Sequence, residues 1–270
     1  MSKRNSQAAK TAARERLRVE RERQAKRAKV RRQLIVAASV VGVLAAAGGI
    51  GYAVVQNNKP SYWEEAKSAT LVKPANTSGK DGTTVVMGKS TAKNTLALYE
   101  DPRCPVCAQF EQTVGETVKK DYDAGKYKLE FVGASFLDRG LGGEGSKNAL
   151  SALGAALNVS PEAFLEYKTA LYSSKWHPEE SDDKLKNDSY LIEIADTVPA
   201  LKGNAAFKKA VEDGTYDRWA LEMSDRFDDS GVTGTPTLKL DGKTLTGSDG
   251  KNAPMTVEDF NKAVTTALKG

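Results

Sequence analysis

The stretch Tyr99-Glu100-Asp101-Pro102-Arg103-Cys104-Pro105-Val106-Cys107 decides how the rest of the chain is read. It holds both cysteines of a 270-residue chain, with two residues between them. Thr95 to Tyr99 just before is a short apolar run, which reads as a buried strand. Ala108 to Lys120 just after carries Phe110, Val114 and Val118 at helical spacing. The cysteines therefore sit where a strand hands over to a helix. Unpaired N–H groups at a helix start, together with the helix dipole, favour a thiolate on the first cysteine. That environment lowers a thiol pKa and makes the sulfur a nucleophile.

Two blander readings compete. A structural disulfide between Cys104 and Cys107 would close a loop of four residues. Chain entropy values that at about 2 kcal/mol, against about 3 for a 15-residue loop. It is a poor staple, but two thiols held within reach make a good redox switch. A structural zinc site wants four Cys or His ligands. The one histidine, His177, lies in Trp176-His177-Pro178 and reads as a surface or capping residue in a loop.

The strand–Cys-Pro-Val-Cys–helix pattern resembles the thioredoxin-fold thiol–disulfide oxidoreductases of the DsbA type. Gly231-Val232-Thr233-Gly234-Thr235-Pro236-Thr237 supports the resemblance far downstream. The likeness covers roughly Thr83 to the C-terminus. It implies that Cys104 is the exposed sulfur that attacks and is attacked, and that Cys107 is the resolving thiol. It implies a cis Pro236 facing the sulfurs, with the Thr235 backbone free to pair with a substrate strand. Pro105 and Val106, between the sulfurs, would help to set the potential. Val106 offers no hydrogen-bond donor to a Cys104 thiolate. Glu100 lies four residues before Cys104, on the strand face shared with Leu98. If buried it is a candidate to relay a proton to Cys107; otherwise it is a surface carboxylate at a strand end.

The net charge of +5 hides a split. Residues 1–33 hold 13 Lys/Arg and 3 Asp/Glu, a net of +10; the rest holds 27 against 32, a net of −5. Leu34 to Val55 then runs 22 residues without a charge. At about 1.5 Å per residue it reaches about 33 Å, enough to cross a hydrocarbon core of about 30 Å. It is longer than a signal-peptide core and follows a longer start, which favours an uncleaved anchor, although Ala45-Ala46-Ala47 leaves cleavage open. The basic residues before it predict a cytoplasmic N-terminus and an extracytoplasmic body in the cell membrane. The basic tail reads as a solvated flank of that span, with no nucleic acid as partner. An oxidising compartment then surrounds the two cysteines, an agreement reached from different residues. Residues 56–82 are polar and read as a tether, with Tyr62 and Trp63 at the membrane interface.

From Thr83 the pattern becomes globular. Strands are expected at Thr84–Met87, Thr95–Glu100 and Tyr127–Gly133, with the cysteine helix before the third. Gly140 to Ser230 reads as mostly helical: Ser160-Pro161 starts one helix, and Tyr216, Trp219, Ala220 and Met223 line another. Asp241-Gly242 turns a hairpin, and Thr256 to Leu268 closes the chain as a helix with Val257, Phe260, Val264 and Leu268 as its buried face. The expected fold class is α/β: a thioredoxin-like domain (83–270) with a helical insertion at about 140–230, preceded by one transmembrane helix. The resemblance implies that exported proteins with free thiols are oxidised and that a quinone-linked membrane partner reoxidises the centre. No cofactor is expected. A reductase or isomerase, or a chaperone-like binding module, remains open as an alternative.

Overall fold

The computed structural model describes residues 60–79 and 82–269, and helical pieces between residues 14 and 27. In the first compact unit, Met1–Ser61, those pieces are exposed, and Arg18 pairs with Glu22 one turn on at 3.2 Å. The expected span, residues 34–55, lies outside the described residues. Among the described residues no helix is long and apolar enough to cross a membrane.

The second unit, Tyr62–Gly270, begins with helix α1 (Tyr62–Ser68). This corrects the expectation of a tether from residue 60 onward. Trp63 is buried, with the Lys147 Nζ 5.1 Å from its ring centre. The Tyr62 hydroxyl donates to Asp217 Oδ2 at 2.5 Å. Farther on, Asn76 Nδ2 donates to the Leu157 carbonyl at 2.7 Å, and Ser78 bridges to Thr84. Polar composition suggested a free linker. The side chains instead satisfy partners on the globular body, with Trp63 buried there while Tyr62 stays 57 % exposed.

Five strands form one sheet: β1 (Val85–Met87), β2 (Asn94–Glu100), β3 (Tyr127–Gly133), β4 (Thr237–Leu240) and β5 (Lys243–Leu245), in the order β1-β3-β2-β4-β5. The central strand β2 runs parallel to β3, so a crossover is required. Helix α2 (Pro105–Ala124) supplies it. Strands β4 and β1 pair antiparallel to β2 and β3. Register lines up Leu240, Leu96 and Leu129 across three strands, and Leu238, Leu98 and Phe131 beside them. All six are buried, and each such side chain contributes about 1.5–3 kcal/mol relative to exposure. At the β4–β5 turn Asp241 and Gly242 both take positive φ, 48° and 81°, the pairing that a two-residue hairpin needs.

The insertion is helical: α3 (Phe136–Leu141), α4 (Gly145–Val159), α5 (Pro161–Leu171), α6 (Asp188–Ala195), α7 (Ala205–Glu212) and α8 (Asp217–Asp229). Helix α4 is buried on nearly every side, because Ala, Gly, Ser and Leu let neighbours approach closely. Gly154 sits under the Trp219 ring, where an added Cβ would come within 2.8 Å. Ser160 caps α5 by accepting from the Ala163 N–H at 3.0 Å. Phe131 of β3 meets Phe164 of α5 edge-on at 5.1 Å, which joins sheet and insertion in one core.

The closing helix α9 (Val257–Lys269) follows Thr256, whose Oγ1 accepts from the Asp259 N–H at 3.1 Å. Phe260 and Val264 are buried, with Phe260 against Phe110 of α2. Val257 and Leu268 are exposed, contrary to the expected stripe. They occupy the first and last turns, so only the middle of the helix is covered.

Candidate active site

Strand β2 ends at Glu100, and Asp101-Pro102-Arg103 turns the chain into α2. Cys104 is the N-cap of α2 and Pro105 its first residue, a position where a missing N–H removes nothing. The Cys104 sulfur takes the part that a Ser or Asp oxygen usually plays: it accepts from the Cys107 N–H at 3.4 Å. As a thiol it also donates to the Thr235 carbonyl at 3.6 Å. Both cysteines are free. Cys104 keeps 6 % exposure and Cys107 none, so the expected exposed sulfur is a narrow opening rather than a surface group. Pro105 and Val106 stand out beside it, Val106 at 44 % exposure.

The two sulfurs are electrostatically unequal. The Cys107 thiol, the N–H groups of Cys107 and Val106 and the side chain of Thr235 lower the Cys104 pKa from 9.0 to about 7, against the opposing effect of burial. Burial, and then the proximity of Cys104 and Glu100, pushes Cys107 well above the ordinary thiol range. Thr235 and Pro236 come from the other end of the domain, at the start of β4. The Thr235–Pro236 peptide is cis, as the sequence led one to expect. Structure thus brings Cys104, Cys107, Thr235 and Pro236 together from segments 130 residues apart in sequence.

Glu100 is buried at 1 % exposure, near enough to Cys107 to raise its pKa. Its Oε2 lies 2.9 Å from Lys168 Nζ, which is also 2.7 Å from Glu111 Oε2. Thr169 Oγ1 donates to the other Glu111 oxygen at 2.6 Å. One buried cation thus serves two buried carboxylates. Burial raises the Glu100 pKa, Lys168 opposes that and Glu111 adds to it. For Glu111, burial is outweighed by Lys168 and Thr169, and the pKa falls. Of the pair, Glu100 has the raised pKa and Glu111 the lowered one. Sequence reasoning missed Glu111 and Lys168. Glu111 was accessible in principle, since it lies one turn beyond Cys107 on the same helix face. Lys168, in a helix that buries Phe164, Leu165, Tyr167 and Leu171, gave no such signal.

A second buried network fixes the approach to Cys104. Asp101, its pKa pushed up to about 6 by burial, accepts from Ser146 Oγ at 2.6 Å and from the Arg103 N–H at 3.0 Å. Its carbonyl accepts from the Cys104 N–H at 2.9 Å. The Arg103 guanidinium, 2 % exposed, reaches Asp138 Oδ1 and the Gly142 carbonyl at 2.9 Å each, and the Glu180 carbonyl at 3.1 Å. His177 is half-buried: its Nε2 is 3.1 Å from the Pro102 carbonyl, and its ring stacks on Tyr172. The residues before Cys104 are therefore anchored to the helical insertion, which explains why that insertion is needed. No group of three or more His, Cys, Asp or Glu among the described residues could hold a metal ion.

The chain is similar to several known proteins. The chain is 23 % identical over 161 residues to disulfide bond formation protein D of Bacillus subtilis, covering 59 % of this chain and 68 % of that protein. The oxidised BdbD structure from Bacillus subtilis superposes with a TM-score of 0.58 at 21 % identity, over 74 % of this chain and all of that one. MdbA of Actinomyces oris, a thiol–disulfide oxidoreductase, gives 0.58 at 20 % identity, over 74 % and 92 % of the two chains. These likenesses establish the thioredoxin-like fold with its helical insertion. Similarity also extends to 158 residues of the serine/threonine-protein kinase PknE of Mycobacterium tuberculosis, at 25 % identity over 56 % of this chain and 27 % of that protein. Because residues 80–266 match the family described as Thioredoxin, the chain belongs to the thioredoxin family.

Proposed function

We propose that the chain is a membrane-anchored oxidase that introduces disulfide bonds into exported proteins through Cys104 and Cys107. The observation that carries thiol–disulfide exchange at this pair is the inequality of the sulfurs, one slightly open with its pKa lowered to about 7 and the other sealed with its pKa raised, and the oxidising direction is supported by the likeness to disulfide bond formation protein D. In the oxidised centre a substrate thiolate attacks Cys104 Sγ. The Cys104–Cys107 bond breaks, its electron pair goes to Cys107, and that sulfur takes a proton. A second substrate thiolate then attacks the substrate sulfur of the mixed disulfide, and Cys104 leaves as a thiolate. The substrate loses two electrons and the centre gains them. Glu100 exchanges the Cys107 proton. Thr235 offers its backbone to an extended substrate segment next to Pro236, and the exposed Val106 and Pro105 border the same opening. A quinone-linked membrane partner restores the disulfide.

Anchoring is supported by the uncharged run 34–55 and the 13 basic residues ahead of it, which favour a cytoplasmic N-terminus and an extracytoplasmic domain. A second reading, an extracytoplasmic reductase, is favoured by one feature. Val106 brings no donor to the Cys104 thiolate, and a pKa of about 7 is a moderate depression.

One experiment addresses activity and placement together. Right-side-out membrane vesicles carrying the full chain, oxidised beforehand, are given a membrane-impermeant peptide with two thiols. The expected result is one peptide disulfide formed per chain. Oxidation only after the vesicles are inverted would contradict the orientation. No oxidation on either side would contradict the activity.

A further inference from the structure

Lys168 of α5 touches two carboxylates at once: Glu100 at the end of β2, 2.9 Å away, and Glu111 of α2, 2.7 Å away. Their side chains are 1 % and 8 % exposed, and among the described residues no other cation pairs with either. All three ionised, the groups carry one positive and two negative charges, a net of −1 in a buried place. A buried charge without a partner is costly, and a carboxyl escapes that cost by keeping its proton. The cluster becomes neutral when one of its two carboxyls does so.

The contacts decide between the two. Lys168 donates to Glu111 Oε2 at 2.7 Å, and the Thr169 hydroxyl donates to Glu111 Oε1 at 2.6 Å. Each Glu111 oxygen thus has its own donor, which favours the carboxylate form. Gly115, one turn on, leaves room for that carboxyl: an added Cβ would come within 2.8 Å of its carbon. Glu100 is held less well. The cation beside it is the one that Glu111 already uses, and neither of its oxygens has a donor in hydrogen-bonding geometry. We propose that Glu111 is a positioning residue: it takes the charge of Lys168 and so leaves the proton of the cluster on Glu100, near Cys107. The pKa directions agree, raised for Glu100 and lowered for Glu111. No sulfur belongs to the cluster, so its charge balance is the same in the oxidised centre. The proton is then at hand when the Cys104–Cys107 bond breaks and the Cys107 sulfur needs one. This last consequence rests on the proposed exchange between Glu100 and Cys107; the sharing of Lys168 does not.

Infrared difference spectra of the oxidised full chain in detergent at pH 7, wild type minus variant, read a protonated carboxyl by its carbonyl stretch. Glu111→Gln leaves Glu100 and Lys168 as one ion pair. Glu100→Gln leaves Glu111 and Lys168 as another, so each variant keeps a neutral cluster. Wild type should show the band of one buried protonated carboxyl, and both variants should lose it. Single-turnover reduction by a two-thiol peptide should be about tenfold slower, or more, in both. Absence of the band from wild type would overturn the proposal. A band that survives Glu111→Gln would also overturn it, because Glu100 would then keep its proton without Glu111. A band that survives Glu100→Gln would place the proton elsewhere and overturn it too, a comparison that does not need the Glu111 variant to fold. Loss of the band in both variants with wild-type rates would uphold the role of Glu111 and overturn the exchange between Glu100 and Cys107.

Discussion

Cys104→Ala is expected to abolish thiol–disulfide exchange, while Cys107→Ala keeps a reactive thiol and accumulates mixed disulfides with substrate. The asymmetry follows from burial: only Cys104 has an opening, and only Cys107 lies behind it to release a trapped partner. Non-reducing gels of the two variants, incubated with a peptide whose cysteine is already in a disulfide with a good leaving thiol, check this, because the Cys104 thiolate then expels that thiol. A Cys104→Ala chain that exchanges as fast as wild type would contradict the assignment of Cys104 as the attacking and attacked sulfur. The pH behaviour follows from the same geometry. Alkylation of Cys104 in the reduced chain should rise with pH through a midpoint near 7. The largest cause of that value is the Cys107 thiol, so Cys107→Ala should move the midpoint upward. The folded pKa lies below the ordinary value of 9.0, so the thiolate stabilises the reduced fold. That stabilisation is complete above about 9 and is lost as pH falls through about 7. Cys107, with its raised pKa, opposes it only near and above the ordinary value.

Lys168→Met should produce the largest loss of stability, about 3–5 kcal/mol, the range for removing one partner of a buried ion pair. It strands two carboxylates, Glu100 with a side chain 1 % exposed and Glu111 with one 8 % exposed, and among the described residues no other cation pairs with either. Urea unfolding at neutral pH reads the effect as a lower midpoint. In the variant both carboxyl pKa values would lie above their unfolded values. The stability that remains should then be greatest at acid pH and fall as pH rises. A loss under about 1 kcal/mol would mean that the cluster is not charged in the folded state, and Glu100 would lose its place in the mechanism.

The elements were legible where a local rule governed them. A short apolar run marked β2, Ser160-Pro161 marked the start of α5, and Asp241-Gly242 marked the hairpin turn. The cysteine pair and Thr235-Pro236 were legible as motifs. What escaped depends on partners distant in sequence. Trp63 reads like any interfacial aromatic until α4 and Lys147 are placed beside it. Arg103 and Lys168 read like surface charges, yet each is buried because carboxylates from other elements converge on it. Tyr172 looks like an ordinary end to an apolar helix. His177 reads as a loop residue because its partner, the Pro102 carbonyl, is 75 residues away.

The central claim is that this centre drives substrate thiols to disulfides. Its most direct test is the reduction potential of the Cys104–Cys107 pair in the full chain, equilibrated in glutathione buffers at pH 7. The proposed function predicts a value above about −180 mV, as oxidising as a disulfide isomerase or more so. A value below about −250 mV, in the range of thioredoxin, would contradict it and assign the chain to disulfide reduction.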